Sequence, residues 1–283
     1  MFPVFVLCCV AAARVMMMMS TIFFSKIKLV SQSSIYLSQF HIRVYCVASG
    51  DISVYIYTRM LALFSWKPFA LPVSAETIDL APHLTNSSLQ THRLGGGEEE
   101  EDEEEKGAVV RLLDELIGCH ILSHGASAPD VSDPDSTLTS DHLANIQDQI
   151  ADTLAETFAA ALQSPIHFQV RCIFFPWKRM DRCAYLKSPQ PLPNAFELYG
   201  VDFLVEHVAS PQPQFSVKLL EINAEPAIEL TGPRLTWALE DLFDAIARVC
   251  VDPFVRDVPV ETWPVGQTRH HLRKCLQTTV RGF

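Results

Sequence analysis

Residues 40–64, FHIRVYCVASGDISVYIYTRMLALF, alternate in polarity and are rich in Val, Ile and Tyr. That pattern predicts two strands, 41–48 and 52–58, joined as a hairpin at Ser49-Gly50-Asp51. Side chains alternate along a strand, so Arg43, Tyr45 and Val47 should share one face of the first. A second pair follows much later, ELYGVDFLVEH at 197–207 and QFSVKLLEINA at 214–224, separated by Ser210-Pro211-Gln212-Pro213. Strands this close in sequence pair antiparallel in the simplest arrangement. Between the two pairs the period changes. Leu143, Ile146, Ile150, Leu154 and Phe158 recur at helical spacing, which predicts a core-facing helix with Asp141 as its N-cap. Residues 107–119 read as a short apolar helix. Residues 234–250 read as a longer one, with Leu235, Leu239, Leu242, Phe243 and Ile246 on one face and Pro233 at its start. Proline-interrupted stretches at 64–90, 124–140 and 165–195 read as irregular.

Composition changes this picture in two places. The net charge of −11 is mostly local, since EEEEDEEE at 98–105 carries eight of the eleven charges and leaves −3 for the rest. With Gly95-Gly96-Gly97 ahead of it, this run is expected to be a disordered insert over 95–106. The body is near neutral, and the short basic stretch RHHLRK at 269–274 is no nucleic-acid footprint, so no nucleic-acid partner is expected. The N-terminus MFPVFVLCCVAAARVMMMMSTIFF has Arg14 as its single charge in 24 residues. Its length and apolarity suit a membrane anchor or signal sequence. Against that, no basic residue precedes the run and Arg14 interrupts it. Residues 1–39 are therefore expected to be an atypical segment from a misplaced start or retained intron, not an anchor. The eight cysteines are scattered and form no CxxC, so reduced thiols in a cytoplasmic protein are expected, with no zinc site.

Candidate chemistry gathers on the second strand pair. Asp202 lies on its first strand, and Glu221 and Asn223 lie on one side of its second. A pairing centred on the turn brings Asp202 nearly opposite Glu221 and Asn223. Two carboxylates and an amide oxygen are hard ligands of the kind Mg²⁺ takes, and without a cation the carboxylates would repel. The alternative is that Asp202 meets solvent and Glu221 pairs with a basic residue elsewhere. No GxSxG, HExxH or glycine-rich phosphate loop occurs. The GGG at 95–97 abuts eight acids, which would expel phosphate.

Five pieces in order, FHIRVYCVA (40–48), YIYTRMLALFSWKPF (55–69), DLAPHLTNSSLQ (79–90), FELYGVDFLV (196–205) and LLEINAEPAI (219–228), resemble the tubulin–tyrosine ligase family, particularly its fungal ligase-like members. The resemblance covers about 40–254 and leaves 255–283 as a C-terminal tail. It implies an α+β, ATP-grasp-like fold in which antiparallel sheets with packed helices hold ATP. It also implies a ligase of the EC 6.3.2 type: a protein carboxylate is phosphorylated by ATP and an amino acid's amine attacks the acyl phosphate. Carried across by position, Asp202, Glu221 and Asn223 match metal ligands, and Arg43 matches an arginine near the transferred phosphate. His83, Leu84, Thr85 and Asn86 match a segment bordering the nucleotide, and Leu220 an apolar residue lying against it. Strict alternation would turn Leu220 away from Glu221. His41 departs from the pattern, standing where the family has an aspartate.

The implied cofactors are ATP and Mg²⁺. The implied partner is a protein acceptor, with tubulin the family's example, and a monomer is expected. Lysine-bearing strands and an adenine hinge would precede the first strand, but the preceding 39 residues resemble neither. The sequence therefore leads us to expect the central and C-terminal subdomains only, with little affinity for ATP. The alternative function is a ligase-like module that binds a partner without catalysis.

Overall fold

The computed structural model of the chain describes residues 28–30, 40–50, 52–65, 110–122, 137–163, 195–208, 214–226 and 228–278. The acidic insert expected at 95–106 and the irregular crossing expected at 165–195 lie outside the described residues, apart from Ala195.

The described residues form an eight-stranded sheet built around β2 (Phe40–Ser49). Its long apolar run is buried on both faces, because Ile42, Val44 and Cys46 turn one way and Tyr45 and Val47 the other. On one side β2 pairs antiparallel with β7 (Phe196–Val208), which pairs in turn with β8 (Gln214–Asn223). On its other side β3 (Ser53–Tyr57) and β4 (Leu61–Phe64) share the edge end to end, with Cys46 opposite Ile56 and Arg43 opposite Leu61. The expected hairpin thus forms, and Gly50 takes the left-handed backbone its turn requires, at φ 58°. Thr58–Met60 interrupts the shared edge. Beyond the interruption the sheet forks: β5 (Val110–Leu112) pairs with β4, and β10 (Leu272–Gln277) pairs with β3. A separate pair joins β1 (Lys28–Val30) to β6 (His120–Leu122).

Helices cover both faces. Helix α1 (Ser140–Gln163) lays Leu143, Ile146, Ile150, Leu154 and Phe158 on the face that carries Ile42 and Val44, as the spacing predicts. Its cap differs from the expectation. The Thr139 hydroxyl, not Asp141, accepts the His142 N–H at 3.2 Å. Thr139 is the last non-helical residue and its oxygen reaches a free amide of the first turn, whereas Asp141 already lies inside the helix. Helix α2 (Thr236–Ile246) lays Leu242, Ala245 and Ile246 on the face of Tyr45 and Val47.

The structure corrects three further expectations. Residues 107–119 contain β5 and a 3₁₀ turn, Leu113–Leu116, rather than one helix. Val110 and Leu112 serve one face of the sheet while Leu113 and Leu116 serve the other, a split that strand geometry allows and a single helical stripe does not. The segment 234–250 is likewise not one helix. A 3₁₀ turn at Pro233–Leu235 leads into α2, a π-helical turn spans Ala247–Val251, and α3 (Asp252–Val255) follows. Within it Phe243 is 48% exposed instead of facing the core. Finally, residues 268–277 form β9 (Thr268–Arg269) and β10 within the sheet, so Leu272, Lys274 and Cys275 of the expected tail are buried while β9 stays exposed. Among the described residues no helix is long and apolar enough to cross a membrane.

Candidate functional site

Alternation along β2 sends His41 and Arg43 to the face that carries Tyr45 and Val47. Register then completes a row across three strands. Arg43 of β2 stands opposite Asp202 of β7, and Asp202 opposite Glu221 of β8. Asn223, two residues on, pairs with Gly200. Directly opposed residues of a sheet share a face, so the residues expected as metal ligands, Asp202, Glu221 and Asn223, come together beside Arg43.

The pairing of β7 with β8 shifts register at Asp202/Phe203. Asp202 faces Glu221 but Phe203 faces Leu219, which leaves Leu220 as an extra residue, a β-bulge. Leu219 and Ile222 both pack against the core under α1, so the two residues between them, Leu220 and Glu221, both turn to the opposite side. Strict alternation separated Leu220 from Glu221, and the bulge unites them. A run such as KLLEIN carries no sign of where a bulge falls.

Charge and burial organise the row. Asp202 is 1% exposed. Arg43 grips it with a fork: Nε donates to Oδ1 at 2.5 Å and Nη2 to Oδ2 at 2.7 Å. The buried His41 lies beyond, with Nε2 3.5 Å from Oδ1. Burial by itself would raise the carboxyl of Asp202, but His41 and Arg43 outweigh it and hold Asp202 well below the usual carboxylate range. Burial also works against the Arg43 charge, yet the bond to Asp202 leaves its pKa raised. Glu221 moves the other way. Burial pushes it up and the neighbouring Asp202 adds to the rise, against the Asn223 amide, which donates from Nδ2 to Glu221 Oε1 at 3.1 Å.

This is a buried anion held by a guanidinium, beside a second acid reluctant to ionise. A divalent cation between Asp202 and Glu221 would relieve that reluctance, and Asn223 offers an amide oxygen as a third hard donor. No group of three His, Cys, Asp or Glu side chains placed to hold a metal occurs among the described residues, so the amide is needed to complete a set. The donor chemistry fits Mg²⁺ on these terms. The segment expected to border a nucleotide, His83, Leu84, Thr85 and Asn86, lies outside the described residues.

Two supports were missed in the sequence. The Tyr45 hydroxyl meets the buried Thr231 hydroxyl at 3.0 Å and ties the segment after Asn223 to β2. Gly200 stands in the interior of a buried strand, where glycine is unfavourable without a reason, and that was a readable signal.

Comparison with known proteins places these elements. The model of the tubulin–tyrosine ligase family matches residues 30–118 and 135–258. A probable tubulin–tyrosine ligase of Saccharomyces cerevisiae, PBY1, is 32% identical over 224 residues, covering 77% of this chain. A probable tubulin–tyrosine ligase of Schizosaccharomyces pombe is 28% identical over 218 residues, covering 76%. The chain spans only 22% and 39% of those two relatives. The crystal structure of the C-terminal domain of Kluyveromyces lactis Pby1, described as an ATP-grasp enzyme interacting with the mRNA decapping enzyme Dcp2, superposes with a TM-score of 0.52 at 27% identity. That match covers 90% of this chain and 51% of the other.

Proposed function

We propose, since the chain belongs to the tubulin–tyrosine ligase family and shares the ATP-grasp fold, that its protein is an ATP-dependent carboxylate–amine ligase and that the β2–β7–β8 row is the phosphate end of its active site. In this reading a protein carboxylate attacks the γ-phosphorus of ATP and ADP leaves. The amine of an amino acid then attacks the acyl carbon, an amide bond forms, and phosphate and a proton depart. Asp202, Glu221 and Asn223 would hold Mg²⁺. When bound, the ion would supply charge neutralisation on the phosphate oxygens. The chain's own residues supply placement. Arg43, anchored on Asp202, presents its remaining N–H groups to the phosphoryl group and offsets its charge. Leu220, turned to the same side by the bulge, would lie against the nucleotide, with His83–Asn86 at its border. The acceptor is a protein, tubulin by family precedent, and the location is cytoplasmic.

What carries the reading is the single row Arg43, Asp202, Glu221, with two carboxylates opposed across the sheet. The Arg43 fork balances one of the two opposed carboxylates, and a divalent cation would balance the second. The test is Mn²⁺ binding to the whole chain, followed by electron paramagnetic resonance with and without tripolyphosphate, which probes the phosphate end without an adenine site. Mn²⁺ should bind, more tightly with tripolyphosphate. Asp202→Asn should weaken binding about ten- to hundredfold, the range that even supporting groups around a metal command. Equal Mn²⁺ affinity in wild type and variant would overturn the assignment.

A second reading, a ligase-like module without catalysis, has His41 in its favour. An imidazole 3.5 Å from Asp202 adds a basic group where a further acid would strengthen cation binding. An Mn²⁺-silent wild type would favour that reading.

A further inference from the structure

We infer that Gly200 is a positioning residue for the phosphate-end site, reserved as glycine so that Pro226 can close over β7 against the stem of Arg43, which holds Asp202. The inference rests on the reading above and deepens it. Gly200 lies in the middle of a strand paired on both sides, opposite Tyr45 of β2 and Asn223 of β8. A strand interior disfavours glycine, which there signals a close approach. Backbone freedom is not the reason: Gly50, Gly118, Gly232 and Gly266 have left-handed backbones and Gly200 does not. Space is the reason. A Cβ at Gly200 would come within 2.8 Å of Pro226 Cβ, 3.3 Å of Arg43 Cδ and 3.6 Å of Arg43 Nε.

These contacts come from two parts of the site. Pro226 follows the ligand-bearing end of β8, and its segment is tied back to β2 through Thr231 and Tyr45. Arg43 comes from β2 and directs its fork past Gly200 to Asp202. Gly200, two residues before Asp202 on the same face, is the floor of a nest whose walls are Pro226 and the arginine stem. A methyl group there must displace the proline, and the arginine stem must give by a few tenths of an ångström. Sub-ångström placement of a phosphate-binding group bears on affinity, because misplacement by about 1 Å can cost on the order of 100-fold in a reaction.

The test separates the two walls. Gly200→Ala should fold, with a lower melting temperature. It should bind Mn²⁺–tripolyphosphate about two- to threefold more weakly, the share of the misplacement range above that a shift of a few tenths of an ångström takes. Gly200→Ala combined with Pro226→Gly removes the proline Cβ and leaves the contact with Arg43. Its melting temperature should recover while its affinity stays low. This double variant also carries the test should the single variant fail to fold. A metal-free readout runs beside it: the Arg43 Nε–H, bonded to Asp202 in the wild type, should give a slowly exchanging proton resonance that is lost in both variants. If the double variant regains both wild-type affinity and the protected proton, Gly200 serves only the Pro226 turn and the inference is overturned. A wild type with the protected proton but no Mn²⁺–tripolyphosphate binding would sink the ligase reading instead, and the proton resonance alone would then decide the role of Gly200.

Discussion

Lys274 has no exposed surface, yet it carries an ammonium group into the core. Its Nζ lies 5.5 Å from the ring centre of Tyr55 and 5.7 Å from that of Trp263, within cation–π range, and donates to Gln277 Oε1 at 3.0 Å. Burial lowers its pKa from the usual lysine value. The consequence for stability has a definite sign. Between the lowered folded-state pKa and the unfolded value of about 10.4, the unfolded chain binds more protons than the folded one. Stability attributable to this residue therefore rises with pH across that window. Lys274→Met keeps the stem's packing and removes the charge. It should raise the melting temperature at neutral pH and remove the alkaline-side gain, as measured by thermal unfolding from pH 6 to pH 10. An unchanged pH profile would mean that the ammonium group reaches water.

At the scale of elements, among the described residues β8 pairs with β7 on one side, and helix α1 meets its other edge. Gln149, on α1, closes part of that edge. Its Nε2 donates to the Phe215 carbonyl at 2.9 Å, and its Oε1 accepts the Val217 N–H at 3.1 Å. One side-chain amide thus stands in for a neighbouring strand at two backbone positions, in an element that also carries Glu221 and Asn223. Gln149→Leu would leave a half-buried donor and acceptor without these partners. It should cost about 1–3 kcal/mol and speed hydrogen exchange at the Val217 amide. Unaltered exchange at that amide would show that water replaces the glutamine fully. The helix itself was legible from its apolar spacing, but the role of Gln149 was not. A polar residue beside the apolar stripe reads as solvent-facing until the strand edge beneath it is known.

Across the whole molecule the sheet has two packed faces with different work. One face, under α1, is mostly apolar and holds the sheet together, with Arg273 of β10 paired to Asp148 of the helix at 2.6 Å. The other combines the core beneath α2 with the row of Arg43, Asp202 and Glu221. Beyond 258, where the family match ends, Trp263 and Leu272 join this second face, while Cys275 and Leu276 pack on the first. Trp263 packs at 5.1 Å on Tyr55, and β10 pairs with β3 over five register positions. Deleting residues 262–283 would therefore uncover β3 and its aromatic neighbours. Such a chain should lose its cooperative thermal transition and its near-ultraviolet circular dichroism. Retention of both would mean that the edge of β3 stands unaided.

By itself the sequence determined the elements whose signal is local and repeated: the hairpin after residue 40, the late strand pair and the long helix. It also placed Asp202 near Glu221, since a short loop leaves an antiparallel ribbon few registers. Tertiary structure decided the rest. It paired β2 with β7 and thereby brought Arg43 to Asp202 across 159 positions of chain, a contact that no local pattern encodes. It inserted the bulge that turns Leu220 toward Glu221, and it filled the space above Gly200 with Pro226 and Arg43. The physical reason is common to these cases. Periodicity records which side of an element is buried, whereas a site depends on which elements meet and in what register, and that is settled by packing energy summed over the whole sheet.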